Sequence, residues 1–88
     1  MTYGRILIFD KERDVLTKSD LKKVVKSIEE IKCDDPMFKG FRDVVIFDGR
    51  VYVGYDTDSY GIIGKLDSEI IRRGGDNGFK LNKYTSVN

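Results

Sequence analysis

Apolar positions recur along this chain with two different periods, and the periods predict its elements. Ile6, Leu7, Ile8 and Phe9 follow one another without alternation inside the run Tyr3 to Phe9. Such a run suits a strand at the centre of a sheet or covered on both faces. A charged connection, Asp10 to Asp14, comes next. Leu21, Val24, Val25, Ile28 and Ile31 then fall at helical spacing, with Lys18, Lys22, Lys23, Lys26, Glu29 and Glu30 on the other side. Thr17 and Asp20 have the spacing of a capping box, Asp standing for the usual Glu. A helix is therefore predicted from Thr17 to about Lys32, closed by Asp34-Asp35-Pro36, because Pro disfavours α geometry in the residue before it.

Pro36 to Gly40 reads as a loop. The clearest local signal follows it. Val44 to Phe47 and Val51 to Tyr55 are β-branched and aromatic runs separated by Asp48-Gly49. A two-residue type I′ turn needs positive φ at both central positions, which this pair supplies, so a hairpin is predicted. Asp56 to Ser59 breaks the second strand. Asp58 or Ser59 is the expected cap of a second helix with Ile62, Ile63, Leu66, Ile70 and Ile71 on one side. Gly61 and Gly64 should make its first turns irregular. Arg72 and Arg73 suit its last turn, and Gly74-Gly75 reads as its stop. A last strand is predicted over Phe79 to Thr85. Phe79 and Leu81 alternate there, and Tyr84 falls out of phase.

The order strand, helix, strand, strand, helix, strand resembles the ferredoxin-like split βαβ sandwich. The resemblance implies one α+β domain over residues 1–88, with a four-stranded antiparallel sheet and both helices on one face. A chain of 88 residues has room for one core, and buries only about 60–65% of its unfolded surface. The second sheet face would then be wet, a binding surface, or covered by a second copy. A homodimer is expected on that ground.

Charge narrows the partners. The chain carries 16 Lys and Arg against 15 Asp and Glu, split nine to eight before residue 41 and seven to seven after it. Neither half is a polyelectrolyte, which disfavours sequence-blind nucleic-acid binding. No apolar run approaches the roughly 18 residues of a membrane span, and Ile6 to Phe9 is too short for a signal peptide. A single cysteine, Cys33, cannot close an internal disulfide and suits a reducing, cytoplasmic compartment, the protein's own cell or a host's.

Candidate chemistry is sparse. With no His, neither a Ser–His nor a Cys–His pair can form. Cys33 follows the first helix beside Asp34 and Asp35, surroundings that oppose a reactive thiolate. No catalytic set, cofactor site or metal site is expected.

Three stretches carry resemblances. Asp56 to Asp67 resembles an EF-hand loop, with Asp56, Asp58 and Asp67 at ligand positions and Gly61 at the sharp turn. Tyr60 stands where a ligand belongs, and Asp67 is shorter than the closing Glu. Ile62-Ile63-Gly64-Lys65 is similar to the GXXG segment of KH domains, with Asp67 at the second glycine position. Gly49, Tyr52, Val53 and Tyr55 resemble the RNP1 segment of the RNA-recognition motif, and Asp14 to Leu21 resembles that family's entry into its first helix. That likeness implies base stacking by Tyr52 and Tyr55, although residues three apart on a strand face opposite sides.

The reading that follows is a small accessory protein of phage or bacterial type, not an enzyme. It would regulate or inhibit a protein partner by direct contact. Tyr52, Tyr55 and Tyr60 with Arg50 would form its contact surface, because Tyr buries area at low entropic cost. Lys18, Lys22 and Lys26, four apart on the first helix, would form a patch for an acidic partner. The alternative is single-stranded RNA binding through the hairpin aromatics, and a metal-dependent enzyme using Asp56, Asp58 and Glu69 stands third.

Overall fold

A computed structural model gives β1 (Tyr3–Lys11), α1 (Lys18–Glu29), β2 (Phe38–Phe47), β3 (Arg50–Thr57), α2 (Ile63–Asp76) and β4 (Phe79–Val87), with a 3-10 turn at Tyr60–Ile62 before α2. It describes residues 2–12, 17–33, 36 and 38–87, with backbone alone for 39, 86 and 87. All strand pairs are antiparallel, in the order β2-β3-β1-β4. This is the ferredoxin-like α+β arrangement. No described helix is long and apolar enough to cross a membrane.

The unbroken apolar run of β1 follows from its central place, between β3 and β4. Arg5, Leu7 and Phe9 turn to one face, where they are buried, and Ile6 and Ile8 to the other, where they are half-buried. The hairpin turn has φ 51° at Asp48 and 74° at Gly49, the left-handed pair that its twist requires. In α1 the capping box closes as the spacing predicts. The Asp20 amide donates to Thr17 Oγ1 at 3.2 Å, and the Thr17 amide donates to Asp20 Oδ2 at 2.9 Å. Val24 and Ile28 from α1 and Leu66 and Ile70 from α2 meet Leu7, Phe9, Val51 and Val53 in one core. Each such side chain contributes roughly 1.5–3 kcal/mol on burial.

Three expectations need correction, and a fourth gains its cause. Phe38 to Gly40 is strand, not loop, because β3 runs on to Thr57 and offers it a partner. Register shifts between Phe38 and Phe41 and between Phe41 and Asp43 let both Phe rings meet Tyr55, at 6.0 and 6.5 Å between centroids. Neither Asp58 nor Ser59 caps α2. Asp58 accepts from Thr2 Oγ1 at 2.7 Å, and the Ser59 amide donates to Thr57 Oγ1 at 3.0 Å. Gly74-Gly75 does not stop α2 either. Gly74 is there for its size, since a Cβ would stand 2.9 Å from the Phe9 ring, and Gly78 at φ 83° makes the turn into β4. The phase slip of β4 is a β-bulge opposite Ile8 and Phe9: Lys83 pairs with Ile8 and Leu81 with Phe9, leaving Asn82 over. Of the expected charged connection Asp10 to Asp14, Asp10 and Lys11 belong to β1; its residues 13 and 14, and Asp34 and Asp35 beside Cys33, lie outside the described residues.

Candidate functional site

A polar cluster sits inside the core. Arg5 holds an inward position of β1 in phase with Leu7 and Phe9, and Asp67 an inward position of α2 one turn from Ile63 and Ile70. They form an ion pair, Arg5 Nη2 to Asp67 Oδ2, at 8% and 9% exposure. The Tyr55 hydroxyl donates to Asp67 Oδ1 at 2.7 Å, and Tyr55 is fully buried. The Arg5 guanidinium lies 4.7 Å from the centre of the Tyr84 ring. Burial first, then the hydrogen bond and charge of Asp67, push the Tyr55 hydroxyl well above its ordinary value, so it stays protonated. The cluster ties β1, β3 and α2 together. Its polar atoms face one another, which makes it an anchor for α2.

One residue before Asp67, Leu66 faces a different space. Where α1 ends and α2 begins, residues of the two helices line a groove of about 950 Å³. Ile31, Ile62, Leu66 and Cys33 give it apolar lining. Glu29, Glu30 and Lys32 contribute from the α1 side, and Lys65, Glu69 and Arg73 from the α2 side. Arg73 ties the two helices together. It donates to the Ser27 carbonyl at 2.7 Å and to Glu69 Oε1 at 2.9 Å. Hydrogen bonds from Arg72 and then Arg73 hold the Glu69 carboxyl down to about 2. A concave site of this volume is of the usual size for a small-molecule site, and here charged side chains surround its apolar lining. Neither Leu66 nor Ile31 was distinguishable in sequence from ordinary core.

The sequence-predicted residues do not converge. Tyr52 and Arg50 are on the open sheet face, where Arg50 also pairs with Asp10 at 2.7 Å. Tyr55 points the opposite way, into the core, which corrects its assignment to a contact surface. Tyr60 is exposed in the 3-10 turn, its ring edge-on to Tyr3 at 5.5 Å. Lys18, Lys22 and Lys26 are exposed on α1, and Lys22 and Lys26 line a smaller groove of about 490 Å³ with Val25, Val44 and Ile46.

The three acidic residues of the EF-hand resemblance go to three destinations. Asp56 pairs with Arg42 at 2.7 Å, Asp58 accepts from Thr2, and Asp67 binds Arg5. Glu69, the third residue of the metal-enzyme reading, is bound by Arg72 and Arg73. Among the described residues no group of three His, Cys, Asp or Glu could hold a metal ion. The KH-like Gly64 lies within α2. Of the stretch likened to the RNA-recognition motif's first helix entry, 14–16 lie outside the described residues.

No protein-family model and no curated protein matches the chain. Solved structures do. The structural-genomics protein YJCS superposes with a TM-score of 0.73 at 9% identity, over 100% of this chain and 98% of that one. A candidate chlorite dismutase superposes at 0.69 and 12% identity over 97% of this chain, which spans only 42% of that longer protein. A candidate antibiotic biosynthesis monooxygenase from Chloroflexus aurantiacus superposes at 0.67 and 12% identity, over 99% of this chain and 91% of that one. These likenesses show the fold.

They also correct the functional expectation. A non-catalytic protein that regulates or inhibits by protein contact was inferred from missing catalytic pairs. Two neighbours with this fold bear the names of enzymes, so the inference from sparse chemistry to "not an enzyme" fails. The RNA alternative loses its stacking pair with the burial of Tyr55.

Proposed function

We propose that this chain is a small-molecule-binding domain of enzymatic type, its ligand seated in the groove between the end of α1 and the start of α2. The observation that carries the reading is the groove itself: about 950 Å³, floored by Ile31 and Leu66 and walled by two helices that the Arg5–Asp67 pair and the Arg73–Ser27 bond fix in place. Small-molecule sites run at roughly 300–1,000 Å³. Enzyme names among the fold neighbours support the same reading. The test is a chemical-shift titration of labelled protein with indole, a neutral apolar probe. Amides of Ile31, Cys33, Ile62 and Leu66 should shift together, and Ile62→Trp, which fills the mouth, should abolish the shifts. Shifts confined to the open sheet face would refute the reading.

A second copy is proposed for that open face. Ile6, Ile8, Val45, Phe47 and Tyr52 share it, Phe47 is 71% exposed, and no described element lies over it. Contiguous apolar area of this kind marks an interface. Sedimentation equilibrium at micromolar concentration should give a dimer that Ile8→Lys converts to monomer; a monomeric wild type sinks the idea. The single thiol suits a reducing cytoplasm.

A further inference from the structure

The charges lining the interhelical groove are not equivalent. Glu69 and Arg73 are bound to each other, and each is also held by a further group, Arg72 and the Ser27 carbonyl respectively. Their charges are already satisfied. Glu29 and Glu30 line the α1 wall, and neither has an ion-pair partner among the described residues. Lys65 lines the α2 wall and Lys32 the end of the groove, and they too have none among the described residues. Charges of both signs thus line one cavity without pairing across it. Ile31 and Leu66, both buried members of the core, line the same groove. Glu29 and Glu30 also line the smaller groove on the other side of α1, so they form the ridge between the two.

From this arrangement we infer that the groove takes a zwitterion with an apolar body, a molecule with a free ammonium and a free carboxylate such as an apolar amino acid or dipeptide. The inference rests on the reading of the groove as the ligand site. The ammonium meets Glu29 or Glu30, the carboxylate meets Lys65 or Lys32, and the apolar body covers Ile31, Ile62 and Leu66. An anion alone would leave the α1 carboxylates beside it repelling, and a cation alone would do the same to the lysines. A neutral apolar ligand would leave both pairs of charges as they are.

The probes are L-phenylalanine and the dipeptide Leu-Leu as zwitterions, with N-acetyl-phenylalanine, phenylalaninamide and N-acetyl-phenylalaninamide as anion, cation and neutral counterparts. Binding is read by chemical-shift titration at Ile31, Cys33, Ile62 and Leu66. One zwitterion should bind about three- to fivefold more tightly than its singly blocked counterpart, the range that one partly exposed ion pair supports. Leu-Leu is the better of the two if the walls stand farther apart than a single amino acid spans. Lys65→Gln with Lys32→Gln should erase the advantage over the cation, and Glu29→Gln with Glu30→Gln the advantage over the anion, whereas Lys18→Gln should change nothing. If all five probes bind alike, the zwitterion inference falls and the groove remains a ligand site. If none shifts the groove and indole does not either, both fall.

Discussion

The two faces of the sheet use the same residue types to different ends. Toward the helices, Leu7, Phe9, Val51 and Val53 are sealed, and the ionic group admitted among the described residues is paired: Asp67 accepts from Arg5 at one oxygen and from Tyr55 at the other. Toward the open side, Ile6, Ile8, Val45 and Tyr52 are framed by the Arg42–Asp56 and Arg50–Asp10 pairs, which face solvent. A charge in the first setting has no water to fall back on, and a charge in the second does. Position relative to the helices, more than residue type, sets what a substitution costs.

The sharpest break of that comparison is Asp67→Asn. It leaves Arg5 charged and buried beside a neutral amide, and should cost about 3–5 kcal/mol by urea unfolding. Replacing the set together, Arg5→Met, Tyr55→Phe and Asp67→Leu, should recover most of the loss, because no stranded charge remains. A loss under about 1 kcal/mol for the single variant would mean that the cluster is not sealed.

Next come two aliphatic truncations. Ile70→Ala, fully inside, should cost about 2–5 kcal/mol. Val45→Ala, on the open face, should cost under about 1 kcal/mol at a protein concentration where the chain is monomeric. Equal losses would erase the distinction between the faces. The glycines offer a finer version. A Cβ at Gly74 meets the packed Phe9 ring at 2.9 Å, whereas one at Gly54 meets the far end of the flexible Arg42 side chain at 3.2 Å. Overpacking costs about 1–3 kcal/mol and the gain in helix propensity returns about 1, so Gly74→Ala should lose roughly 1 kcal/mol net. Gly54→Ala should fall within about 0.5 kcal/mol, since Arg42 can swing away.

The smallest effect is the pH dependence of Glu69. Its folded pKa is depressed from 4.5 to about 2, so the stability it contributes is complete above pH 4.5 and is lost as pH falls toward 2. The difference between wild type and Glu69→Gln, followed by thermal melting, should therefore shrink over that window. Because the pair is exposed, salt should shrink it as well.

What the chain announced in advance was the part governed by neighbours in sequence. Asp48-Gly49 forms its turn from two residues, and Thr17 with Asp20 forms its cap from four. The failures came where a distant partner decides. Gly74-Gly75 has the look of a stop until Phe9 lies against it. Phe38 to Gly40 looks like a loop until β3 extends beside it. The site was barely legible. Arg5 in phase with Leu7 and Phe9, and Asp67 in phase with Ile63 and Ile70, were signals of a buried ion pair, since a charge at a core position calls for a partner. The groove gave no such sign, because it is made where residues of two helices distant in sequence come together and not by any residue's periodicity.

β1 is flanked on both edges by strands that come much later, β3 at residues 50–57 and β4 at residues 79–87. A chain growing from its N-terminus can close the β2–β3 hairpin as soon as both strands have left the ribosome, but the centre of the sheet must wait for β4. With synthesis at roughly 5–20 residues per second, the apolar run Ile6 to Phe9 spends seconds without both of its neighbours. This apolar central run is thus exposed during synthesis for as long as the stretch from the end of β3 to the end of β4 takes to be made.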